Sequence, residues 1–153
     1  MKIPTKGRYA VSAMLDLALH DSTGPLTIAD ISEKQNISLS YLEQIFSVLR
    51  KNGLVRGTRG PGGGYRLAES ADRITIAQII HAVDNGTSAT GGRTDEYLPY
   101  ELWVELSKRI YRFLDGITLA HCISSLEARK QVENHLLASD DLATNTENKS
   151  FAA

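Results

Sequence analysis

The sequence predicts a mainly α-helical fold with one small β-hairpin, and three features support this fold class. Apolar residues recur at three- and four-residue spacing in several segments, which is the pattern of amphipathic helices. Two short extended stretches flank a glycine-rich connection at Gly60–Gly64, as in a β-hairpin. A chain of 153 residues with 42% apolar residues can bury a core without disulfides or metal ions to stabilise it.

The first half of the chain predicts two short helices separated by a tight turn and preceded by a longer helix. Thr27 and Ser38 are suitable N-caps for the two short helices, and Gly53 is a suitable break after the second. This arrangement is typical of a helix-turn-helix, whose second helix lies in the major groove of DNA. The hairpin that follows would be the wing of a winged helix-turn-helix. The predicted elements are a helix over about 7–19, the helix-turn-helix over about 27–51, the wing over about 54–68 and a helix over about 76–83, which Thr75 caps.

The second half predicts a long helix and a C-terminal extension. The most loop-like stretch, Asp84–Thr94, divides the two halves. A long helix should run from about Tyr97 to Asp115, and Thr118 should cap a short helix that ends near Ser124. The segment Leu126–Leu137 can also form a helix, whereas the residues from Ala138 onward are small and polar, as in a frayed terminus. We therefore predict a DNA-binding domain over 1–84, a loop over 85–96, dimerisation helices over 97–124 and a partly disordered C-terminal extension over 125–153.

An apolar stripe along the predicted long helix indicates a homodimer. The first half already has its own core, so this stripe leaves apolar surface that a two-fold-related copy would cover. The stripe consists of Leu102, Leu106, Ile110, Phe113 and Leu114.

Charge is distributed unevenly along the chain. Residues 1–66 hold nine Lys/Arg against five Asp/Glu, whereas residues 67–153 hold eight against thirteen, so we expect the first half to face a polyanion. No apolar run approaches the roughly 20 residues of a membrane span, and the first residues lack the apolar core of a secretory signal. We expect a cytoplasmic protein without a membrane partner. Nothing places a nucleophile beside a base or pairs carboxylates in a pocket, so the sequence does not indicate an enzyme.

The N-terminal end of the second short helix carries side chains suited to reading bases. Gln44 can pair with adenine, Glu43 can accept from the N4 amino group of cytosine, and hydroxyl groups can contact bases or phosphates. The alternative is that Ser38 and Glu43 only support the start of the helix and its dipole. The members of this face are Ser38, Ser40, Tyr41, Glu43 and Gln44.

Three cations complete the predicted interface with double-stranded DNA. Arg50 and Lys51, at the far end of the same helix, are placed for phosphate contacts, or else they only favour the helix C-terminus. Arg59 directly precedes the glycine-rich tip of the wing, where an arginine can enter a narrow minor groove. Arg56 and Arg66 are weaker candidates on the same hairpin.

Four motifs resemble the IscR group of bacterial winged-helix transcription regulators. They are Lys6-Gly-Arg-Tyr-Ala10, Ile37-Ser-Leu-Ser-Tyr-Leu-Glu-Gln44, Leu49-Arg-Lys-Asn-Gly-Leu-Val55 and Arg59-Gly-Pro-Gly-Gly-Gly-Tyr65. The group is related to the nitric-oxide sensor NsrR and the cysteine regulator CymR, and the resemblance covers about residues 1–124. It implies a homodimer with a long crossing helix that binds a two-fold-related operator and represses genes of iron–sulfur cluster assembly or related stress genes. It also implies that Glu43 helps to discriminate between two classes of site.

The resemblance also implies a [2Fe-2S] cluster that selects promoters, but the sequence departs from the group at each cluster ligand. The group uses three cysteines in the loop after the fourth helix and a histidine three residues before the tryptophan of the long helix. Here the loop Asn85–Glu96 has no cysteine, and Tyr100 lies three residues before Trp103. No cofactor or metal site is therefore predicted, and a cluster would need atypical ligands drawn from the set Cys122, His121, His81 and His135.

Three functions thus stand as alternatives. The chain is a DNA-binding regulator without a cluster, the same regulator sensing iron or a cluster through unusual ligands that include Cys122, or an adaptor that kept the fold and lost DNA binding. Cys122 itself has a simpler interpretation as a buried, small apolar residue.

Overall fold

The computed structural model describes residues 5–84 and 100–150, with side chains as far as residue 138. Within these residues, six helices and one two-stranded antiparallel sheet are present. This confirms the predicted fold class, mainly helical with a hairpin wing. The elements are α1 (Thr5–Leu19), α2 (Ile28–Gln35), α3 (Leu39–Lys51), β1 (Val55–Thr58), β2 (Gly64–Leu67), α4 (Ile76–Val83), α5 (Tyr100–Asp115) and α6 (Leu119–Ser150).

The core lies between α1, α3 and α4, and the other elements are arranged around it. Each of these helices contributes its apolar stripe, as the three- and four-residue spacing predicted. Burying them fixes the angle at which α3 presents its opposite face to solvent. The largest fully buried side chains are Phe46, Met14, Ile31, Leu42, Ile45, Leu49, Ile74, Ile79 and Leu119.

Two capping boxes confirm the predicted starts of α2 and α4. The Thr27 hydroxyl accepts from the Asp30 amide, and the Asp30 carboxylate accepts from the Thr27 amide, both at 3.1 Å. These hydrogen bonds hold the pKa of Asp30 below its usual value. Thr75 and Gln78 form the same box at α4.

Ser38 occupies the N-cap position of α3, but its side chain makes no capping hydrogen bond. Its hydroxyl instead lies 3.1 Å from the hydroxyl of Ser40. Ser38 is thus the N-cap residue, as predicted, but its hydroxyl pairs with that of Ser40 rather than with a backbone amide of the first turn.

The wing is attached to the loop between α1 and α2. Strands β1 and β2 pair from Val55↔Leu67 to Thr58↔Gly64, and Leu26 exchanges two backbone hydrogen bonds with Tyr65. Gly64 has φ +150°, and a Cβ atom there would lie 2.4 Å from the Leu26 carbonyl oxygen. Only glycine permits this close approach.

The second half joins the first at the boundary of α5 and α6. The amide of Ile76 donates to the Ile117 carbonyl, and the amide of Leu119 donates to the Ile74 carbonyl, both at 2.9 Å. Leu119 is fully buried in the core, so α6 begins inside the first half's packing. None of the residues of α5 is buried.

Helix α6 continues past the predicted end near Ser124 and through Leu126–Leu137, the segment that the sequence allowed to be helical. The backbone of α6 is helical without interruption from Leu119 to Ser150. No glycine or proline interrupts residues 118–150, so no residue breaks the helix. The hydroxyls of Ser124 and Ser125 donate to carbonyls of the preceding turn rather than ending the helix.

The predicted loop Asp84–Thr94, beyond its first residue, and the predicted helix start at Tyr97 lie outside the described residues. The described part of the long helix begins at Tyr100 and ends at Asp115, just before Gly116 as predicted. Across the described ranges, no helix combines the length and apolarity that a bilayer crossing requires.

Candidate nucleic-acid interface

Helix α3 is apolar on one side and hydrogen-bonding on the other. Its inner side chains Leu42, Ile45, Phe46 and Leu49 are fully buried. Its outer side carries the predicted base-reading set, of which all but Tyr41 are exposed. The buried side thus fixes the position of α3, and the opposite side is accessible from solvent. The exposed members are Ser38, Ser40, Glu43 and Gln44.

Tyr41 differs from the rest of this set because its ring is half-buried and packs against the core. It meets the ring of Tyr9 on α1 edge-on, with centroids 5.9 Å apart. Tyr9 is 36% exposed and lies beside the start of α3. Only the tertiary contact reveals this pairing, because the two residues lie far apart in sequence.

Leu39 is a member of this surface that the sequence did not single out. It is the first residue of α3, it is 44% exposed, and it lies between the exposed Ser38 and Ser40. The sequence feature that could have indicated this position is an apolar residue directly after the predicted N-cap, Ser38.

Arg50 and Lys51 are exposed in the last turn of α3. In the same turn, the Asn52 side chain donates to the Val48 carbonyl at 2.9 Å. No ion pair is recorded for either cation among the described residues, so both the phosphate and the helix-dipole interpretations stand.

The wing separates its arginines into two groups. Arg59 is exposed at the hairpin tip, directly before Gly60 with φ +95°, and Arg56 is exposed on β1. Arg66 instead donates to the Asp21 carbonyl at 3.2 Å and holds the wing to the loop after α1. Arg59 and Arg56 are thus exposed on the wing, whereas Arg66 is bound to the neighbouring loop.

A buried carboxylate positions α2 against α1. Asp16 is 5% exposed and forms an ion pair with Lys34 at 2.5 Å. Gln35 also donates to the Asp16 carboxylate, and it donates to the Ser12 carbonyl at 3.0 Å. This network fixes the first helix of the helix-turn-helix, and spacing in the sequence alone gave no sign of it.

The candidate metal ligands do not form a site. Cys122 is half-buried against the core, and burial raises the pKa of its thiol, which disfavours the thiolate that metals require. The His81 ring packs edge-on against Tyr111, with centroids 6.2 Å apart. The described residues hold no group of three or more His, Cys, Asp or Glu side chains able to bind a metal ion. Since a [2Fe-2S] cluster takes four protein ligands, mostly cysteine thiolates, this donor set does not fit one.

Comparison with known proteins agrees with the winged-helix interpretation. The model of the Rrf2 family, described as an iron-dependent transcriptional regulator, matches residues 3–125. The HTH-type transcriptional regulator IscR of Erwinia tasmaniensis is 53% identical over 136 residues, which cover 83% of this chain and 81% of that protein. The IscR of Klebsiella pneumoniae strain 342 is 52% identical over 83% of this chain and 82% of that protein.

Two solved structures show the same fold. IscR of T. potens superposes with a TM-score of 0.72 at 39% identity, covering 84% of this chain and 90% of that one. CymR, the global cysteine regulator of B. subtilis, gives 0.69 at 37% identity, covering 82% and 98%. These relatives are transcriptional regulators, in agreement with the expectation that the chain is not an enzyme. The chain belongs to the Rrf2 family and is a DNA-binding transcription regulator of the winged-helix type.

Proposed function

We propose that this regulator binds a two-fold-related promoter element as a homodimer and represses transcription there. In this proposal, the N-terminal end of α3 lies in the major groove and Arg59 lies in the adjacent minor groove. The observation that carries it is the outer side of α3, whose exposed hydrogen-bonding residues lie opposite a fully buried face. Its targets would be genes of iron–sulfur cluster assembly or related stress genes, since IscR proteins are similar to it.

The base contacts follow from side-chain chemistry. Gln44 offers a donor and an acceptor to adenine, and Glu43 offers an acceptor to the amino group of cytosine. Glu43 repels phosphate, so its place on this surface favours base reading over non-specific binding. Arg50 and Lys51 would contact phosphates and fix the register of the helix.

The homodimer is supported by the exposed apolar stripe of α5. Leu102 is 49% exposed, Leu106 is 39% exposed and Phe113 is 70% exposed. Apolar surface of this extent on a helix with no buried residue favours a covering partner. The indole Nε1 of Trp103 on the same helix is buried and has no hydrogen-bond partner among the described residues. A second copy would cover the exposed apolar side chains of this stripe.

The test compares Arg59→Ala with Arg129→Ala, which removes an exposed arginine on α6 instead. A fluorescent duplex, selected from random sequence by the wild-type protein, is titrated at fixed salt. Arg59→Ala should weaken binding by about tenfold or more, the usual contribution of a groove-reading arginine, whereas Arg129→Ala should change it little. Equal affinities of the wild type and Arg59→Ala would refute the wing assignment.

A second measurement separates base reading from phosphate binding. Glu43→Ala should change which duplexes are preferred more than it changes overall affinity. An equal loss on every sequence would contradict a base-reading role for Glu43.

A further inference from the structure

Leu39 is an exposed apolar side chain on a surface that otherwise carries hydrogen-bonding groups. It is 44% exposed at the first position of α3, and the flanking Ser38 and Ser40 are exposed as well. The nearby Ile37 is only 7% exposed and belongs to the core, whereas Leu39 does not. Leu39 is therefore left facing whatever the recognition helix meets.

The major groove offers one apolar group to such a side chain. Among the four base pairs, only those with thymine present a methyl group there, at C5, and apolar side chains are the groups that contact it. Leu39 lies one helical turn before Glu43, so a groove contact by the carboxylate brings the leucine close to a neighbouring base.

We propose that Leu39 reads the C5-methyl group of one thymine in each half-site. This inference rests on the proposed function, because it needs α3 in the major groove. It assigns a specificity-determining role to a side chain that makes no hydrogen bond.

The experiment removes single methyl groups from the DNA. In the duplex selected by the wild-type protein, each thymine of one half-site is replaced in turn by deoxyuridine, which lacks only the C5-methyl group. The wild type should lose about fourfold in affinity at one position, the contribution of one buried methyl-sized group. Leu39→Ala should bind the thymine and uracil duplexes equally at that position, and Leu39→Met should retain the difference.

Two results would overturn this assignment. One is a wild type that is insensitive to every replacement, and the other is a Leu39→Ala variant that keeps the full difference at the sensitive thymine. If no duplex is enriched by the wild-type protein, the proposed function fails first, and that failure is distinct from these two.

A separate observation concerns iron. The family is described as iron-dependent, yet this chain has a single cysteine. Cys122 is half-buried, and its burial raises the pKa of the thiol, which favours the protonated form. Two copies would bring two cysteines, still short of the thiolate set that a cluster usually requires. The described residues also lack a cluster of other donors.

We infer that this regulator binds its operator independently of iron. Protein purified without oxygen should contain iron and acid-labile sulfide far below one per chain, and its visible spectrum should show no cluster absorption. Its affinity for the selected duplex should be the same within about twofold before and after treatment with an iron chelator, a difference of under 0.5 kcal/mol.

Stoichiometric iron and sulfide would overturn the inference, as would an affinity that changes on chelation. Cys122→Ser serves as the control variant and should match the wild type in both measurements. Loss of bound iron in that variant would instead make Cys122 a ligand.

Discussion

The two halves of this molecule differ in how completely they bury their apolar side chains. In residues 5–84, each long apolar stripe is buried and two helix starts are capped by their own side chains. In α5 no residue is buried, and large apolar side chains of α5 and α6 face solvent. The first half therefore buries its own apolar stripes, whereas the described part of the second half leaves large apolar side chains exposed.

The largest expected effect tests the proposal that a second copy packs against the exposed apolar stripe of α5. Leu106→Glu would place a carboxylate in the centre of the α5 stripe of both copies. Burying unpaired charges costs about 4 kcal/mol, so the dimer dissociation constant should rise about 1000-fold. Sedimentation over a range of concentrations measures it.

The matched variant is Lys108→Glu, which places the same residue on α5 outside the stripe, where the lysine is exposed. It should leave the dimer intact. If Leu106→Glu also sediments as the wild type does, α5 is not the dimer interface and the second half gains its cover elsewhere.

The same contrast explains how far the sequence could predict the structure. Thr27, Thr75 and Gly53 act within one helical turn, so their roles in the first half were predictable from local chemistry. The pairing of Asp16 with Lys34 and the Tyr9–Tyr41 contact arise only when helices pack, and no local pattern encodes them. In the second half, Ser124 resembled a helix end locally, although no residue there breaks the helix.

The candidate site follows the same rule. The exposed positions of α3 were predictable because helical periodicity separates them from Leu42, Ile45 and Leu49. The exposure of Leu39 was not predicted, because its apolar side chain gives no sign of lying on a surface of hydrogen-bonding groups. The contact of Arg66, a weaker candidate in the sequence, with the Asp21 carbonyl was not predictable, because that carbonyl belongs to a distant loop.

The next effect tests whether the first half depends on a close backbone approach. Gly64→Ala adds a Cβ atom at 2.4 Å from the Leu26 carbonyl oxygen, at φ +150°. The wing must then separate from the loop, and the free energy of unfolding should fall by about 3 kcal/mol in urea titrations.

Gly62→Ala is the control, because Gly62 has φ +71° and open space around it. It carries only backbone strain, so it should cost about 1 kcal/mol. If the free energy of unfolding fell equally in the two variants, backbone strain alone would explain both losses, and the close contact with Leu26 would have no further effect.

A smaller effect examines the junction of the two halves. Thr75 caps α4, and its hydroxyl also donates to the Asp115 carboxylate at the end of α5 at 3.1 Å. Thr75→Ala should lower the free energy of unfolding by about 2 kcal/mol, since a cap and a hydrogen bond to a charged group are both lost. Thermal and urea unfolding measure the loss.

Thr27→Ala removes the equivalent capping box without a link to α5, and it should cost about 1 kcal/mol. The difference between the two variants isolates the contribution of Asp115. If the variants are equally stable, the hydrogen bond to α5 does not couple the halves.

The smallest effect concerns the thiol of Cys122, which lies on α6 in the second half. Burial raises the pKa of this thiol, and the thiolate is the form that reacts with iodoacetamide. In the native protein, alkylation at pH 8 should be slower than in urea, and its rate should still rise with pH above the ordinary thiol pKa of about 8.5. A native rate that levels off at or below that pH would show that the pKa of this thiol is not raised and that the thiolate forms readily. Such a thiolate would be a competent metal ligand, and the second half would then hold part of a sensing site after all.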